Sequence, residues 1–256
     1  ALIAARMRAV PDGVFGFATG STPVGIYQEL VRMYEAGEID FSRCRSVNLD
    51  EYLGLGIESS RSYLSFMMEN LFSKVNMKPE NIHIPNGHAG DAAAECRRYD
   101  ALLESLGGAE IQLLGIGRNG HIAFNEPADS FIPETHVADL AEDTVRANAR
   151  FFTSDGDVPR HALTMGIRGI LSAKTLLLAA NGADKAEALR SACFGPVDPH
   201  VPASVLRLHG DVVVVAEKEA HPKKTKAWLA GLKTKQKARM AGSRAQLSKI
   251  SSAEPS

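Results

Sequence analysis

Short apolar runs alternate along most of this chain with longer segments in which apolar residues recur every three or four positions. The runs at 14–18, 45–49, 82–84, 111–116, 175–180 and 211–216 have the length and make-up of buried strands. Between them, helical spacing predicts helices near 23–35, 60–75, 91–106, 183–193 and 203–208, and a further helix over 1–9 precedes the first run. In the helix opened by Pro23, for example, Ile26, Tyr27, Leu30 and Met33 line one face until Gly37 ends it. This alternation predicts an α/β fold with an open, mainly parallel sheet flanked by helices. Ligands of such sheets bind outside the carboxyl ends of the strands, so the residues that follow each run carry the functional interest.

Three of those strand ends hold chemistry. After the first run, Thr19, Gly20, Ser21 and Thr22 form a polar turn at a helix N-terminus, where backbone amides and hydroxyls favour an anion such as phosphate. The same residues also make an ordinary helix cap, and the turn lacks the lysine of a Walker loop, which argues against an ATPase. The second run leads into Asp50 and Glu51 and then Gly54. Asp50 is a candidate general base there, with a capping or turn role as the plainer alternative. The fourth run is followed by Gly-Ile-Gly-Arg-Asn-Gly-His-Ile-Ala-Phe-Asn-Glu-Pro at 115–127. Its glycines let the backbone turn sharply, and His121 and Glu126 place an imidazole and a carboxylate in one short loop, a pairing suited to acid/base work on a small molecule. Read alone, the segment is also a glycine-rich turn with a surface histidine.

Composition narrows the classes. With 256 residues, 45% of them hydrophobic, the chain can bury the core of one α/β domain, which the pattern places over 1–220. A formal net charge of −1 gives no footprint for nucleic acid, no apolar stretch is long enough to span a bilayer, and no signal-peptide pattern opens the chain. A cytoplasmic protein without a nucleic-acid or membrane partner is the expectation. Cys44, Cys96 and Cys193 are odd in number and scattered, which argues against a disulfide framework and against a Cys-x-x-Cys zinc site. His83, His136, His161 and His209 show no metal-ligand spacing, so no metal is expected. Beyond Glu219 the composition turns basic, with nine Lys or Arg between Lys223 and Lys249, and a solvated helix and tail are expected over 221–256, with Trp228 and Leu232 docking the first part.

Six segments, in order, resemble the glucosamine-6-phosphate deaminase/isomerase family. They are Ala-Thr-Gly-Ser-Thr-Pro at 18–23, Asn-Leu-Asp-Glu-Tyr at 48–52, Gly-x-Asn-Gly-His-Ile-Ala-Phe-Asn-Glu-Pro at 117–127, Ala-Asn-Ala-Arg-Phe-Phe at 147–152, Ala-Leu-Thr-Met-Gly at 162–166 and Val-Pro-Ala-Ser at 201–204. The resemblance runs from about 14 to about 216. The 6-phosphogluconolactonases, of similar architecture, are expected to carry Asp-Gly-His-Thr instead, so the Ile-Ala-Phe-Asn-Glu-Pro after His121 favours the deaminase.

The resemblance implies a Rossmann-like three-layer sandwich and conversion of glucosamine 6-phosphate and water to fructose 6-phosphate and ammonia, without a cofactor. It gives His121 the proton shuttle that opens the sugar ring, with Glu126 orienting the imidazole or stabilising its charge. Asn119 stands where some members have aspartate. An amide can hold the histidine by a hydrogen bond but cannot offset its charge, which leaves that role to Glu126. Asp50 is assigned the proton transfer from carbon 2 to carbon 1. Thr19, Gly20, Ser21, Thr22, Arg150 and Lys185 are assigned the phosphate, and 135–155 is expected to be a lid. The implied partner is a small amino-sugar phosphate, and a homo-oligomer is allowed. Members of the family normally have a strand before the first helix, so either the chain is incomplete there or the sheet has lost an element. Two alternatives stand beside this reading. Galactosamine 6-phosphate, differing at one hydroxyl, would suit the same chemistry, and a non-catalytic sugar-phosphate sensor would share the fold; retention of Asp50, His121 and Glu126 together favours the enzyme.

Overall fold

The computed structural model describes residues 1–55, 58–148 and 158–220, which belong to the unit Ala1–His221. In chain order the elements are α1 (Leu2–Ala9), β1 (Val14–Phe17), α2 (Val24–Glu35), β2 (Arg45–Asn48), β3 (Asp50–Tyr52), α3 (Tyr63–Asn70), β4 (Ile82–His83) and α4 (Ala92–Leu106). There follow β5 (Ile111–Leu114), β6 (His136–Asp139), α5 (Glu142–Asn148), β7 (His161–Thr164), α6 (Ile167–Leu171), β8 (Leu176–Ala180), α7 (Ala186–Phe194) and β9 (Val212–Ala216).

All six apolar runs form strands of one sheet, in the order β4-β2-β1-β5-β8-β9, and every pairing is parallel. Every residue of β1, β5 and β8 is buried, as the near-continuous apolar character of a strand covered on both faces requires. Helix α2 covers the sheet with Tyr27, Leu30, Val31 and Met33, each such side chain contributing about 1.5–3 kcal/mol by leaving water. Beginning at β1, the chain builds outward through β2 to β4 and then returns to lay β5 on the other side of β1. Counted within the sheet, this is the third, second, first, fourth, fifth, sixth succession of doubly wound nucleotide-binding folds. Its switch point lies between β1 and β5, where sheets of this kind bind ligands in a crevice at the carboxyl ends of the strands.

Two buried tyrosines define where β1 and β2 stop. The Tyr27 hydroxyl accepts from the Ala18 amide and donates to the Ala18 carbonyl, and the Tyr99 hydroxyl does the same for Asn48. Each pair of backbone groups is thus satisfied by a side chain where the ladder ends, and the chain is free to turn toward the crevice.

A second, antiparallel sheet of order β3-β7-β6 is absent from the sequence-based expectation. Its first strand is Asp-Glu-Tyr, and adjacent acids disfavour strands, so local propensity hides it. It is held instead by its register with β7, Asp50 opposite Thr164, and by a separate core of Tyr52, Phe124, Ala138, Leu140, Val145, Val158 and Ala162. The first part of the expected lid is regular structure, β6 and α5, while 149–155 lies outside the described residues. Three expected helices also differ, the one over 183–193 opening as the 3-10 turn Ala183–Lys185 before α7 begins at Ala186. The helix expected over 60–75 begins only at Tyr63, capped by the Ser62 side chain, and breaks at Leu71, while Pro202–Leu208 winds as a 3-10 helix.

Candidate active site

Adjacent acids after β2 have separate fates. Glu51 accepts hydrogen bonds from the amides of Tyr52 (2.8 Å), Tyr63 (2.9 Å) and Leu64 (3.0 Å), so its carboxylate closes the N-terminus of α3 and ties that helix to β3. Asp50 is 6% exposed and serves no such structural end. Burial, with the Glu51 charge adding to it, pushes the Asp50 carboxyl up to about 8. Its charge reaches the buried Tyr27 and Tyr99 and the half-buried Tyr63, so it sits where α2, α3 and α4 meet the strand ends.

The loop after β5 folds on itself. The Gly117 amide donates to the His121 carbonyl at 2.9 Å, and the Gly120 amide to the Gly117 carbonyl at 3.1 Å, with Gly120 at a φ of 87° that favours glycine. The His121 imidazole lies flat on Gly117, where a Cβ would stand 2.3–2.5 Å from its ring atoms. Its Nδ1 is 3.3 Å from Glu126 Oε2, and among the described residues no partner meets that nitrogen in good hydrogen-bond alignment. Glu126 Oε2 also accepts from Asn119 Nδ2 at 2.7 Å, while Oε1 accepts from the Thr144 hydroxyl at 2.6 Å. Burial by itself would raise this carboxyl, but His121, Thr144 and Asn119 together outweigh it and bring Glu126 down to about 2. An anion held at Nδ1 suits Nε2 to exchange a proton with a ligand.

Asn119 holds the histidine through its main chain, and reaches the imidazole only by way of Glu126. Its amide nitrogen bonds Glu126 and its oxygen accepts from the His121 backbone amide at 3.2 Å, because the tight turn brings the main chain within its short reach.

Contacts across the sheet join this loop to Asp50. The Phe124 amide donates to the Thr164 hydroxyl at 3.0 Å, and Thr164 is the residue opposite Asp50 in the β3–β7 register. Asn125 Nδ2 donates to the Met165 carbonyl at 2.9 Å, and the Met165 amide to the Leu49 carbonyl at 2.7 Å. Ala123, at a φ of 52°, holds a conformation unusual for any residue but glycine, between His121 and Glu126, where such strain is typical of a functional loop.

The turn after β1 closes the crevice from the other side. The Thr19 side chain lies beside the Tyr63 hydroxyl, and the Tyr63 ring stacks on Phe124 with centroids 6.1 Å apart. Gly20 takes a φ of 94°. The Thr22 hydroxyl donates to Asn181 Oδ1 at 2.6 Å, which ties the turn to the end of β8. Lys185 follows in the 3-10 turn Ala183–Lys185, its Nζ 3.7 Å from Asp184, and Asp184 in turn takes Arg118 of the His121 loop at 2.6 Å. Arg150 lies outside the described residues. Among the described residues no three His, Cys, Asp or Glu side chains converge as metal ligands. Tyr63, Asn181 and Thr144 had escaped the sequence reading. Asn181 is a polar residue directly after an apolar run, the same signal that marks Thr19 and Asp50, whereas Thr144 has no local signal.

A doubly wound parallel sheet, with the turn at 19–22 and the loops that carry Asp50 and His121 around its switch point, defines a three-layer α/β protein. Within that class, the chain belongs to the family described as glucosamine-6-phosphate isomerases/6-phosphogluconolactonase, whose model matches residues 4–215. It is 53% identical over 214 residues to a Lachnoclostridium phytofermentans protein named glucosamine-6-phosphate deaminase, covering 84% of this chain and 91% of that one. A protein of the same name from Clostridioides difficile is 50% identical over 222 residues, covering 87% and 89%. Among solved structures, one described as a monomeric glucosamine-6-phosphate deaminase superposes with a TM-score of 0.84 at 49% identity, covering 86% of this chain and 91% of that one. The 6-phosphogluconolactonase of Thermotoga maritima reaches a TM-score of 0.63 at 18% identity, covering 84% and 94%, a likeness of fold alone.

Proposed function

We infer that this protein is an isomerising deaminase that converts glucosamine 6-phosphate and water to fructose 6-phosphate and ammonia. Relatives of that name near half identity over most of the chain support the activity. The observation that carries the mechanism is a pair of carboxyls driven in opposite directions by their surroundings, Asp50 up to about 8 and Glu126 down to about 2. Such divergence separates a proton-transferring group from a fixed charge.

His121 takes the proton from the anomeric hydroxyl and returns it to the ring oxygen as the ring opens, with the Glu126 anion stabilising the imidazolium between the two transfers. Asp50 then takes the proton from carbon 2 and delivers it to carbon 1 of the cis-enolamine. A carboxylate poised near neutral pH is basic enough for the first half and acidic enough for the second. The resulting ketose imine adds water and releases ammonia. Thr19, Gly20, Ser21 and Thr22, with Lys185 and Arg150, are proposed to hold the phosphate and so fix carbons 1 and 2 beside Asp50.

Lys185→Ala should raise KM for glucosamine 6-phosphate about ten- to a hundredfold, the equivalent of a charge-assisted contact of roughly 1.5–3 kcal/mol. Unchanged KM and turnover would put the phosphate elsewhere. An ammonia-release assay with glucosamine 6-phosphate, galactosamine 6-phosphate and unphosphorylated glucosamine tests the substrate. Turnover of the first is expected to exceed that of the other two, preference for the second would reassign the sugar, and none at all would leave a sugar-phosphate sensor.

The catalytic domain is proposed to be 1–220, with the basic stretch 221–256 outside it. Charge retains phosphorylated sugars inside cells, and we propose that the chain acts in the cytoplasm; no helix among the described residues is long and apolar enough to cross a membrane. The monomeric state described for the 49% identical deaminase favours a single chain as the working unit over the homo-oligomer that the sequence allowed.

A further inference from the structure

We propose that Thr144 is a positioning residue, whose hydroxyl holds the Glu126 carboxylate in the one orientation that presents Oε2 to the His121 imidazole. The inference rests on the reading that Glu126 serves His121 in ring opening.

A carboxylate turns easily about its last side-chain bond, where the torsional preference is broad. Oε2 meets Asn119 and His121, both within the same loop as Glu126, so those contacts alone would let the group and the loop shift together. Oε1 is anchored differently. It accepts at 2.6 Å from Thr144, which is 18 positions away and belongs to α5. That helix provides a firm post. Thr144 is 6% exposed, and the adjoining Val145 is 4% exposed in the second core, packed with Tyr52, Phe124, Ala138 and Leu140. The Val145 amide donates to the Ala141 carbonyl at 2.9 Å, which closes the first turn around the threonine. With one oxygen fixed from α5 and the other from the loop, the plane of the carboxylate is set. The hydroxyl also contributes to keeping the group ionised, in company with His121 and Asn119.

The test is steady-state kinetics on glucosamine 6-phosphate with Thr144→Val, Thr144→Ser and Thr144→Val in a Glu126→Ala background. Valine keeps the size and branching of threonine and removes only the donor. Thr144→Val should lower kcat about tenfold, as expected for loss of one hydrogen bond to a charged group, with KM changed by less than about twofold. Thr144→Ser, which keeps the donor, should retain at least about half of the wild-type kcat. In the Glu126→Ala background the valine should add no further loss, because Thr144 acts only through that carboxylate. Wild-type kcat in Thr144→Val, a serine variant as impaired as the valine variant, or losses that multiply in the double variant would each overturn the proposal while leaving Glu126 in its role. If Glu126→Ala itself keeps wild-type turnover, the reading of Glu126 falls, and this inference with it.

Discussion

Replacing Asp50 by Asn should abolish turnover and, in the same molecule, remove a loss of stability that the wild type suffers between about pH 4 and pH 8. The kinetic half follows from chemistry, since a neutral amide cannot take a proton from carbon. General acid/base catalysis is worth roughly a hundredfold or more, and a variant that kept above about a tenth of the wild-type rate would refute the assignment. The stability half follows from burial. The folded-state carboxyl is raised from 3.8 to about 8, so the folded protein holds this proton more tightly than the unfolded chain does. The penalty is absent below about pH 4, grows as the pH rises and is complete above about pH 8, where it reaches several kcal/mol at about 1.4 kcal/mol per unit. Asparagine has no charge to bury at any pH. Its own desolvation, roughly 1–3 kcal/mol, does not vary with pH, so the decisive quantity is the trend. Thermal unfolding at pH 5 and pH 8 should show the melting temperature of Asp50→Asn gaining on the wild type as the pH rises. Parallel curves would mean that the carboxylate is solvated.

Gly117→Ala should cut kcat about a hundredfold with little change in melting temperature. The backbone there is not in the left-handed region, so alanine strains nothing in the main chain. The methyl group would instead stand 2.3 Å from Cε1, 2.4 Å from Nδ1 and 2.5 Å from Nε2 of His121, well inside any real carbon contact. The imidazole is the part that can yield, because it is a side chain with a fifth of its surface exposed. A shift of about 1 Å takes Nδ1 from Glu126 and Nε2 from the sugar, and misplacement on that scale costs around a hundredfold. The check is kcat together with a melting curve. Wild-type turnover in Gly117→Ala would show that the ring has another productive position.

How much of the site could be read from the chain depends on distance in sequence. Thr19, Asp50 and His121 each follow an apolar run, and in a parallel sheet that rule alone points to one face of the molecule. The choice between Asp50 and Glu51 is a different matter. Both are acids after the same run, and it is β3 that separates them, because successive side chains of a strand point to opposite faces. One then meets the amides of α3 and the other the buried tyrosines. Strand β3 was itself illegible, since its polar residues are held by β7, over a hundred positions later in the register Asp50 opposite Thr164. Thr144 was invisible for a similar reason, since it reaches Glu126 from 18 positions away.

What the sequence by itself determined is everything that depends on near neighbours: the six strands, most of the helices flanking them, and the turns that put Thr19, Asp50 and His121 directly after three of those runs. Burial of an apolar face at a period of two or of 3.6 is a local demand, and it is written locally. Only the tertiary structure decided the strand order that sets the turn after β1 beside the loop after β5, the second sheet around Asp50, and the opposed protonation of Asp50 and Glu126. Those outcomes depend on which distant groups exclude water from a carboxyl or donate a hydrogen bond to it, and packing alone brings such groups together.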